Sequence, residues 1–431
     1  MNIIEIIEKK RDRKELNEEE IQYWIDGLCD GSIPDYQSTA LLMAIYLNGM
    51  NEKETFYLTK AMTYSGEMLD FSSIDGIKVD KHSSGGVGDK TSIALMPLLA
   101  TCGVKVAKMS GGALGFMGGT VDKLSSIPGM NVFLPKEKLI EQVKDIGIAM
   151  VGQTGNLCPA DKRIYALRDV TGTVNSLPLI VSSIMSKKLA CGDDVIMLDV
   201  KYGDGSAMKE LDDARELAKA MISVGKQYGK NIGACLTSMS QPLGNAVGNA
   251  LEVKEAIDTL HGQGPADFTD LVLRSGAELL ERSGLYTYED AMEKLKENIA
   301  NGSAAALLKT MIEHQGGDGR VVDDTSLLPQ AKYITEIKAE KSGYVTGLKS
   351  QMIGELSMAL GAGRRSAEDE IDYAVGIVLN RKVNDPVKEG DVLACIYHDA
   401  PLSEEWLEKY HQVTEISESP TQVAPIIAEV L

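Results

Sequence analysis

The chain has 431 residues, and its 44 Lys and Arg stand against 63 Asp and Glu, which gives a formal net charge of -19 at pH 7. A surface this acidic repels nucleic-acid phosphates and anionic lipids, so we expect neither nucleic acid nor membrane as a partner. The first fifteen residues are charged throughout, no apolar run is long enough to span a membrane, and the 6 cysteines include no CxxC pair. We therefore expect a cytoplasmic protein with reduced thiols.

Residues 1–70 predict a small all-helical lobe. Apolar residues recur at helical spacing, and capping boxes pair Asn17 with Glu20 and Asn51 with Glu54. The predicted helix ends are Gly31, Gly49 and Gly66.

Residues 71–158 and 193–330 predict a large α/β lobe, because short apolar runs alternate with helical segments. The predicted strands are 77–79, 104–109, 148–151, 195–200 and 232–236. Such alternation is typical of a mixed, largely parallel sheet, with functional loops at the carboxyl ends of its strands. Helices are predicted at about 159–170 and 177–191; they could pack on either lobe, and we assign residues 159–192 to the helical lobe.

Residues 331–431 predict a C-terminal α+β domain that is rich in strands. The segment 386–396, PVKEGDVLACI, has the cadence of lipoyl- or biotinyl-like sandwich domains, but no Met-Lys-Met carrier hairpin accompanies it. We therefore expect a structural hammerhead or sandwich-like domain rather than a carrier.

The segment 81–92, KHSSGGVGDKTS, follows the first predicted strand and leads into a helix. Its three glycines let the backbone approach an anion, and the helix N-terminus offers N–H groups. Lys81, Ser83 and Ser92 add side-chain donors. The spacing does not match the GxxxxGK[ST] pattern of nucleotide-triphosphate loops. The segment predicts a phosphate cradle, and an ordinary glycine-rich turn is the alternative.

The segment 108–123, KMSGGALGFMGGTVDK, has five glycines within nine positions, more than an ordinary turn needs. Ser110 and Thr120 flank these glycines, so a second anion-binding loop is predicted. A flexible surface loop is the alternative.

A third group of polar residues lies in the segments 161–170 and 182–188. Ser183 and Lys187 are four residues apart and share one face of the predicted helix. The surrounding run LPLIVSSIM predicts that much of this helix is buried, and buried polar side chains need partners. The pair suits a polar planar ligand; a solvated helix face is the alternative.

With these segments in view, the chain resembles the thymidine and pyrimidine nucleoside phosphorylase family from its first helix to its C-terminal domain. The resemblance is carried by residues 81–91, 108–124, 152–170, 180–190 (IVSSIMSKKLA) and 241–257 (QPLGNAVGNALEVKEAI). It implies a homodimer and the reversible phosphorolysis of uridine, thymidine and deoxyuridine to free base and pentose 1-phosphate. Closure of the two lobes would exclude water and bring the reactants together.

The resemblance also implies roles for individual residues. The implied phosphate-binding residues are Lys81, Ser83, Gly88, Ser92, Lys108, Ser110 and Thr120. The implied nucleoside-binding residues are Tyr165, Arg168, Ser183, Lys187 and Leu114. His82, Arg168 and Lys187 would be catalytic: His82 donates a proton or hydrogen bond to the leaving base, and the two cations stabilise its developing negative charge.

The resemblance implies that inorganic phosphate is the co-substrate and that no metal or redox cofactor is required. In the family, a Lys at position 108 accompanies acceptance of ribose, so we expect uridine to be a substrate beside thymidine. Some members bind potassium through positions corresponding to Gly88, Leu243, Ala246 and Glu255, with a Thr at position 90. Here that position is Lys90, whose ammonium we expect to replace the ion.

The chain departs from the family pattern mainly in the second loop. Gly112 stands where Arg is typical, Phe116 and Met117 where His and Thr are typical, and Ser125 where Glu is typical. These changes either remove one salt bridge or alter the substrate range, since Leu114 and Phe116 would lie close to the base. Two other functions remain open: a non-catalytic nucleoside- or phosphate-binding paralogue, and a phosphoribosyltransferase of the anthranilate type.

Overall fold

The computed structural model describes residues 1–112, 115–153, 155–366 and 368–431, and the chain divides into two compact units. The first unit comprises Met1–Ser73, Gln153–Ile196 and Glu216–Ile232, and the second comprises Ile74–Gly152, Met197–Arg215 and Gly233–Leu431. In the described part of the chain, no helix is long and apolar enough to cross a membrane.

The helices in chain order are α1 (Ile3–Arg11), α2 (Glu18–Asp30), α3 (Asp35–Asn48), α4 (Glu52–Thr63), α5 (Thr91–Ala100), α6 (Thr120–Ser125), α7 (Lys136–Ile146), α8 (Pro159–Thr171), α9 (Leu177–Ala190), α10 (Leu211–Gln227), α11 (Asn249–Leu260), α12 (Ala266–Arg282), α13 (Tyr288–Ala300), α14 (Ser303–His314), α15 (Ser350–Ser357) and α16 (Glu404–His411). Short 3₁₀ turns occur at Gly319–Val322 and Thr325–Leu327, and a π turn occurs at Met358–Ala362.

The strands in chain order are β1 (Val79–Ser83), β2 (Val106–Ser110), β3 (Ile148–Gly152), β4 (Val195–Tyr202), β5 (Asn231–Ser238), β6 (Ala246–Val247), β7 (Tyr333–Lys338), β8 (Gly343–Leu348), β9 (Gly376–Leu379), β10 (Pro386–Val387), β11 (Val392–His398), β12 (Thr414–Ser417) and β13 (Ile427–Val430).

The first unit is built around a core formed by α1 to α4 together with α8 and α9. Trp24, Leu41 and Leu58 are fully buried in this core, and Ile164 and Leu179 join it from α8 and α9. Both predicted capping boxes are present at the starts of α2 and α4. The caps satisfy N–H groups that the helix leaves unpaired, which explains why the sequence places these starts correctly.

The second unit contains the predicted mixed, largely parallel sheet. Its strand order is β1-β4-β5-β13, with β13 antiparallel to β5, and β2 pairs with β3 in parallel. A parallel bridge between Lys78 and Lys105 links the chain just before β1 to the chain just before β2. The carboxyl ends of β1 and β2 therefore lead into the two predicted glycine-rich segments.

The C-terminal strands β7 to β12 lie in two small antiparallel sheets, β6-β9-β11-β7 and β10-β8-β12, and the first of these takes its edge strand β6 from the α/β part. Their core includes Val345, Ile396 and Trp406, and it also takes in Val87 and Val247 from the α/β part. The β-rich character predicted for this region is confirmed.

The first strand differs from its predicted position. It runs over Val79–Ser83 rather than 77–79, so Lys81, His82 and Ser83 lie on the strand instead of in a loop after it. The apolar pattern missed these residues because Asp80 and Lys81 are charged, yet both are buried.

Candidate active site

Two lysines and two aspartates form a buried cluster of four charges beside the first glycine-rich turn. Lys81 on β1 and Lys201 on β4 both contact Asp199, with Nζ–Oδ2 distances of 2.6 Å and 2.8 Å. The Asp89 carboxylate lies 3.8 Å from the Lys81 Nζ and 3.9 Å from the Lys201 Nζ. Because an unpaired buried ion is very costly, this four-charge cluster holds Lys81 in a defined position.

Burial and neighbouring charge have opposite effects on the pKa values in the four-charge cluster. Burial raises the pKa of the Asp89 and Asp199 carboxyls, but the ammonium groups of Lys201 and Lys81 outweigh it and hold both pKa values below their usual range. Burial lowers the pKa of Lys81, but the carboxylates of Asp199 and Asp89 outweigh it and raise that pKa above its usual value. These three groups are therefore ionised at neutral pH.

The Asp89 carboxylate also organises the chain around it. Ser83 Oγ donates a hydrogen bond to it, and the Thr91 N–H and Oγ1–H donate to Oδ1 at 3.1 Å and 2.7 Å. The Gly85 N–H donates to Ser83 Oγ at 3.1 Å. Lys81 and Ser83 are two residues apart on β1, so both project towards Asp89 from the same face of the strand.

The first glycine-rich turn leads directly into α5, where Ser92 lies in the first helical turn. Gly88 has a φ of +75°, and a Cβ there would lie 2.7 Å from the Leu243 carbonyl oxygen, so only glycine fits at this position. The first N–H groups of a helix have no partner within the helix. In α5 the Thr91 N–H donates to Asp89 and the Ile93 N–H to the Lys90 carbonyl oxygen, so the N–H and hydroxyl of Ser92 between them are the donors that could meet an anion.

The opposite face of β1 carries Asp80 and His82. Lys108 on β2 reaches this face, where its Nζ lies 2.9 Å from the Asp80 carboxylate and donates a hydrogen bond to the Lys81 carbonyl oxygen. His82 is half-buried between Lys81 and Ser83 in the chain. The structure thus divides the residues predicted to bind phosphate. Lys81 and Ser83 lie on one face of β1, and Lys108 reaches the face that carries His82.

The second glycine-rich loop, residues 111–119, connects Ser110 at the end of β2 to Thr120 at the start of α6. Lys123 on α6 is buried, pairs with Glu252 at 2.6 Å and donates a 2.7 Å hydrogen bond to the Asp89 carbonyl oxygen. This last bond attaches α6 to the four-charge cluster. The two glycine-rich segments are therefore linked through Lys123.

Two of the residues expected near the base lie in the second loop. Leu114 lies outside the described residues. Phe116 is partly buried against the core cluster of the C-terminal sheets, which includes Ile353 and Leu356. The structure therefore gives Phe116 a packing role within the second unit.

Arg168 on α8 is held in the first unit by backbone carbonyl groups. Its Nε and Nη1 donate to the carbonyl oxygens of Thr173 and Leu179 at 3.3 Å and 3.1 Å, and its Nη2 donates to that of Val174. The residue is 1% exposed, and burial lowers the pKa of the guanidinium, partly offset by the charge of Asp161. Arginine nevertheless stays charged, and two N–H groups remain for another acceptor.

Lys187 and Ser183 lie side by side on α9, as their spacing predicted, and Lys187 also contacts α8. The Lys187 Nζ donates to Ser183 Oγ at 3.1 Å and lies 2.5 Å from an Asp161 carboxylate oxygen. Tyr165 is 42% exposed, with its ring centroid 6.0 Å from the Arg168 guanidinium carbon. Two cations, a hydroxyl and an aromatic ring thus lie in one group, which suits a planar ligand that carries negative charge.

Sequence reasoning missed the carboxylates and the lysine that position these side chains. Asp161 was detectable, because residues 161, 165 and 168 lie on one face of a helix. Asp199 and Lys201 had no such signal, because they lie in a strand far along the chain from Lys81.

The Lys90 ammonium lies among the residues that the family resemblance assigns to a potassium site. Its Nζ donates to the carbonyl oxygens of Leu243 and Ala246 at 2.8 Å and 2.9 Å and forms an ion pair with Glu255. The Gly88 carbonyl oxygen accepts the N–H of Lys90 itself at 3.0 Å. The oxygens of Leu243, Ala246 and Glu255 therefore already surround one ammonium. Elsewhere in the described residues, no group of three or more His, Cys, Asp and Glu could hold a metal ion.

Family models match three parts of the chain. A glycosyl transferase helical bundle domain matches residues 4–66, a glycosyl transferase a/b domain matches residues 75–305, and a pyrimidine nucleoside phosphorylase C-terminal domain matches residues 344–417. These matches define the class: a glycosyltransferase with a helical bundle and an α/β domain.

Comparison with similar proteins identifies the family within this class. The chain is 53% identical to a pyrimidine-nucleoside phosphorylase of Staphylococcus haemolyticus over 433 residues, which is 100% of both chains. It is 52% identical to the enzyme of that name from Geobacillus stearothermophilus, over 99% of both chains. The chain belongs to the pyrimidine-nucleoside phosphorylase family.

A solved structure supports the fold. The crystal structure of anthranilate phosphoribosyltransferase from Thermus thermophilus superposes with a TM-score of 0.59 and 18% identity, and covers 72% of this chain and 98% of that one. At this identity the likeness concerns the fold alone.

We expect the four-charge cluster to make stability sensitive to acid. Both carboxyls have folded pKa values below the unfolded value of about 4, so their contribution to the free energy of unfolding is complete above that pH and is lost below it. Asp199→Asn should lower the free energy of unfolding at neutral pH and flatten its decline between about pH 5 and pH 2. Urea unfolding across this range measures both effects. The exposed Asp213→Asn is the control, and an acid slope in Asp199→Asn equal to that control would contradict the expectation.

Proposed function

We propose that the protein is a pentosyltransferase that catalyses the reversible phosphorolysis of pyrimidine nucleosides, with uridine, thymidine and deoxyuridine as substrates. The observation that carries the proposal is the group of Arg168, Ser183 and Lys187 on α8 and α9. The chain also matches relatives named pyrimidine-nucleoside phosphorylase over its whole length, and this match supports the same interpretation of these three residues.

In this reaction a phosphate oxygen attacks the anomeric carbon of the pentose while the bond from that carbon to the base nitrogen breaks. The bonding electrons leave with the pyrimidine, so negative charge develops on its ring nitrogen and is shared with its carbonyl oxygens. Arg168 and Lys187 are fixed cations that stabilise this charge, and Ser183 bonds the ring edge. His82 supplies a proton or hydrogen bond to the leaving base.

The phosphate is bound by residues of β1 and β2 and of the first turns of α5 and α6. Lys81 supplies positive charge, and Ser83, Ser92, Ser110 and Thr120 supply hydroxyl groups. The four-charge cluster is formally neutral without phosphate, so the Ser92 N–H at the start of α5 and these hydroxyls contribute much of the attraction.

We also propose that the protein is a cytoplasmic homodimer. Its partners are the nucleoside and phosphate, and neither a membrane nor a nucleic acid. An exposed apolar face of α3 supports self-association: Tyr36 is 74% exposed, Leu47 is 71% exposed, and Met43 lies on the same side of the helix. Cys102, Cys158, Cys191 and Cys235 are buried, as expected of reduced thiols.

The two competing functions differ in what they require. A binding paralogue has no need of a buried guanidinium at Arg168 together with an ammonium at Lys187. An anthranilate-type phosphoribosyltransferase is related to this chain only by fold. Neither competitor releases base from a nucleoside in a phosphate-dependent reaction.

We expect phosphate-dependent release of uracil from uridine, followed by the change in ultraviolet absorbance. Lys81→Ala and Lys187→Ala should each lower kcat/KM by at least about 100-fold, because each removes a charge that stabilises the transition state. Lys162→Ala, which changes an exposed lysine on α8, is the control. Release that is independent of phosphate, or full activity in both variants, would refute the proposal.

Lys108 is expected to set the preference for ribose over deoxyribose. Its Nζ reaches the His82 face of β1, where it could donate a hydrogen bond to a sugar 2′-hydroxyl. Lys108→Met should lower kcat/KM for uridine about tenfold or more relative to deoxyuridine, the size of effect for one lost hydrogen bond to a charged group. These substrates share the same base, so their ratio isolates the hydroxyl. An unchanged ratio would remove this role.

Lys90 is expected to make activity independent of potassium. Uridine phosphorolysis should proceed at the same rate in potassium and tetramethylammonium salts at equal ionic strength. Lys90→Thr, which removes the ammonium and leaves the oxygens of Leu243, Ala246 and Glu255, should lose activity in tetramethylammonium and recover it with potassium. A potassium requirement in the unmodified protein would contradict the expectation.

A further inference from the structure

Residues 361–364 hold the second glycine-rich loop from the C-terminal part of the second unit. Arg364 Nη1 donates a 2.8 Å hydrogen bond to Asp122 on α6, just after the loop. The carbonyl oxygen of Arg364 accepts the N–H of Gly115, inside the loop, at 3.2 Å. One residue therefore contacts both the loop and the helix that follows it. The ion pair is shielded, since the Asp122 side chain is only 5% exposed.

A second set of contacts fixes the segment that carries Arg364. Asn249, the first residue of α11, is buried and donates a 2.8 Å hydrogen bond to the Ala362 carbonyl oxygen. One helical turn later, Glu252 pairs with Lys123 on α6. The three segments α6, α11 and 361–364 thus form a closed ring of polar contacts, in which each segment is held by the other two.

Apolar contacts fix the middle of the loop. Phe116 packs so closely on α15 that a Cβ at Gly354 would lie 3.0 Å from its ring. Met117 lies against the first glycine-rich turn, where a Cβ at Gly85 would lie 3.2 Å from its sulfur. The loop is therefore held between the first turn and the C-terminal core.

Gly112 leaves room beside the same ion pair. A Cβ at this position would lie 3.4 Å from an Asp122 carboxylate oxygen and 3.8 Å from Arg364 Nη1. A long cationic side chain at position 112 would thus start next to Asp122. In this chain the guanidinium that pairs with Asp122 comes instead from Arg364.

We propose that Arg364 is a positioning residue for phosphate, which acts by holding the second glycine-rich loop and α6 so that Ser110 and Thr120 meet the anion. The inference rests on the proposed phosphorolysis and adds a residue outside the phosphate-binding segments. Five glycines give the free loop a large conformational entropy, and α6 has only 6 residues, so neither segment is rigid by itself. An external contact that orders them before phosphate arrives strengthens phosphate binding.

The first test separates phosphate binding from the other steps of the reaction. Arg364→Met should raise KM for phosphate about tenfold or more, while KM for uridine changes little, because small displacements of binding groups cost large factors. Arg364→Lys should keep part of the effect, since a lysine still pairs with Asp122 but without the guanidinium geometry. The matched control is Arg365→Met, which changes the exposed neighbouring arginine.

A rescue experiment distinguishes positioning from general damage to the fold. Gly112→Arg, introduced into the Arg364→Met variant, supplies a second guanidinium next to Asp122 and should restore KM for phosphate to within about threefold of the parent value. A rise in both KM values together, with no rescue by Gly112→Arg, would overturn the proposal, and so would an unchanged KM for phosphate in Arg364→Met.

A third measurement does not depend on activity. Chymotrypsin should cleave after Phe116 several-fold faster in Arg364→Met than in the parent, because the loop opens more often when one of its anchors is lost. Peptide mass spectrometry identifies the site. If the parent released no base from nucleosides, the proposed function would fail, while faster proteolysis of Arg364→Met would still support the anchoring role. Equal rates of proteolysis in an active protein would overturn the anchoring role alone.

Discussion

The buried carboxylate of Asp199 pairs with the ammonium groups of both Lys81 and Lys201, and the phosphate-binding group proposed for this chain depends on it. Without this carboxylate, two cations would share a dry interior with only Asp89 nearby, which is energetically prohibitive. With it, Lys81 is charged and fixed on β1. The same cluster orders the first glycine-rich turn through Asp89 and reaches α6 through Lys123. One electrostatic constraint therefore connects strands, turn and second loop.

Other cations of the chain are likewise held by the oxygen atoms of neighbouring groups. Arg168 is held by three carbonyl oxygens, Lys187 by the Asp161 carboxylate, and Lys90 by two carbonyl oxygens and Glu255. A chain with a net charge of -19 repels anions at long range, so it attracts them only where cations are concentrated and held locally. Fixed cations also need no reorganisation when charge develops on a leaving base, which is the main requirement of the proposed reaction.

The parts that the sequence predicted well are those governed by local rules. Asn17 and Asn51 cap helices through residues three positions away, and Ser183 meets Lys187 across one helical turn. What it missed depends on contacts between distant segments. The first strand was placed too early because Asp80 and Lys81 are charged, and the carboxylate that pairs with Lys81 lies more than a hundred positions later. The contact between Asp122 and Arg364 spans still more of the chain. No spacing rule links such pairs, so only the folded chain shows them.

The most direct test of this account is the coupling free energy between Asp199 and Lys201, from urea unfolding of Asp199→Asn, Lys201→Met and the double variant. Each single change leaves a buried charge without its partner and should cost about 3–5 kcal/mol. The double variant removes both charges, so it should be more stable than the sum of the single effects predicts, by at least about 1 kcal/mol. Additive losses would mean that the two side chains act independently, and would contradict the claim that Asp199 organises the site.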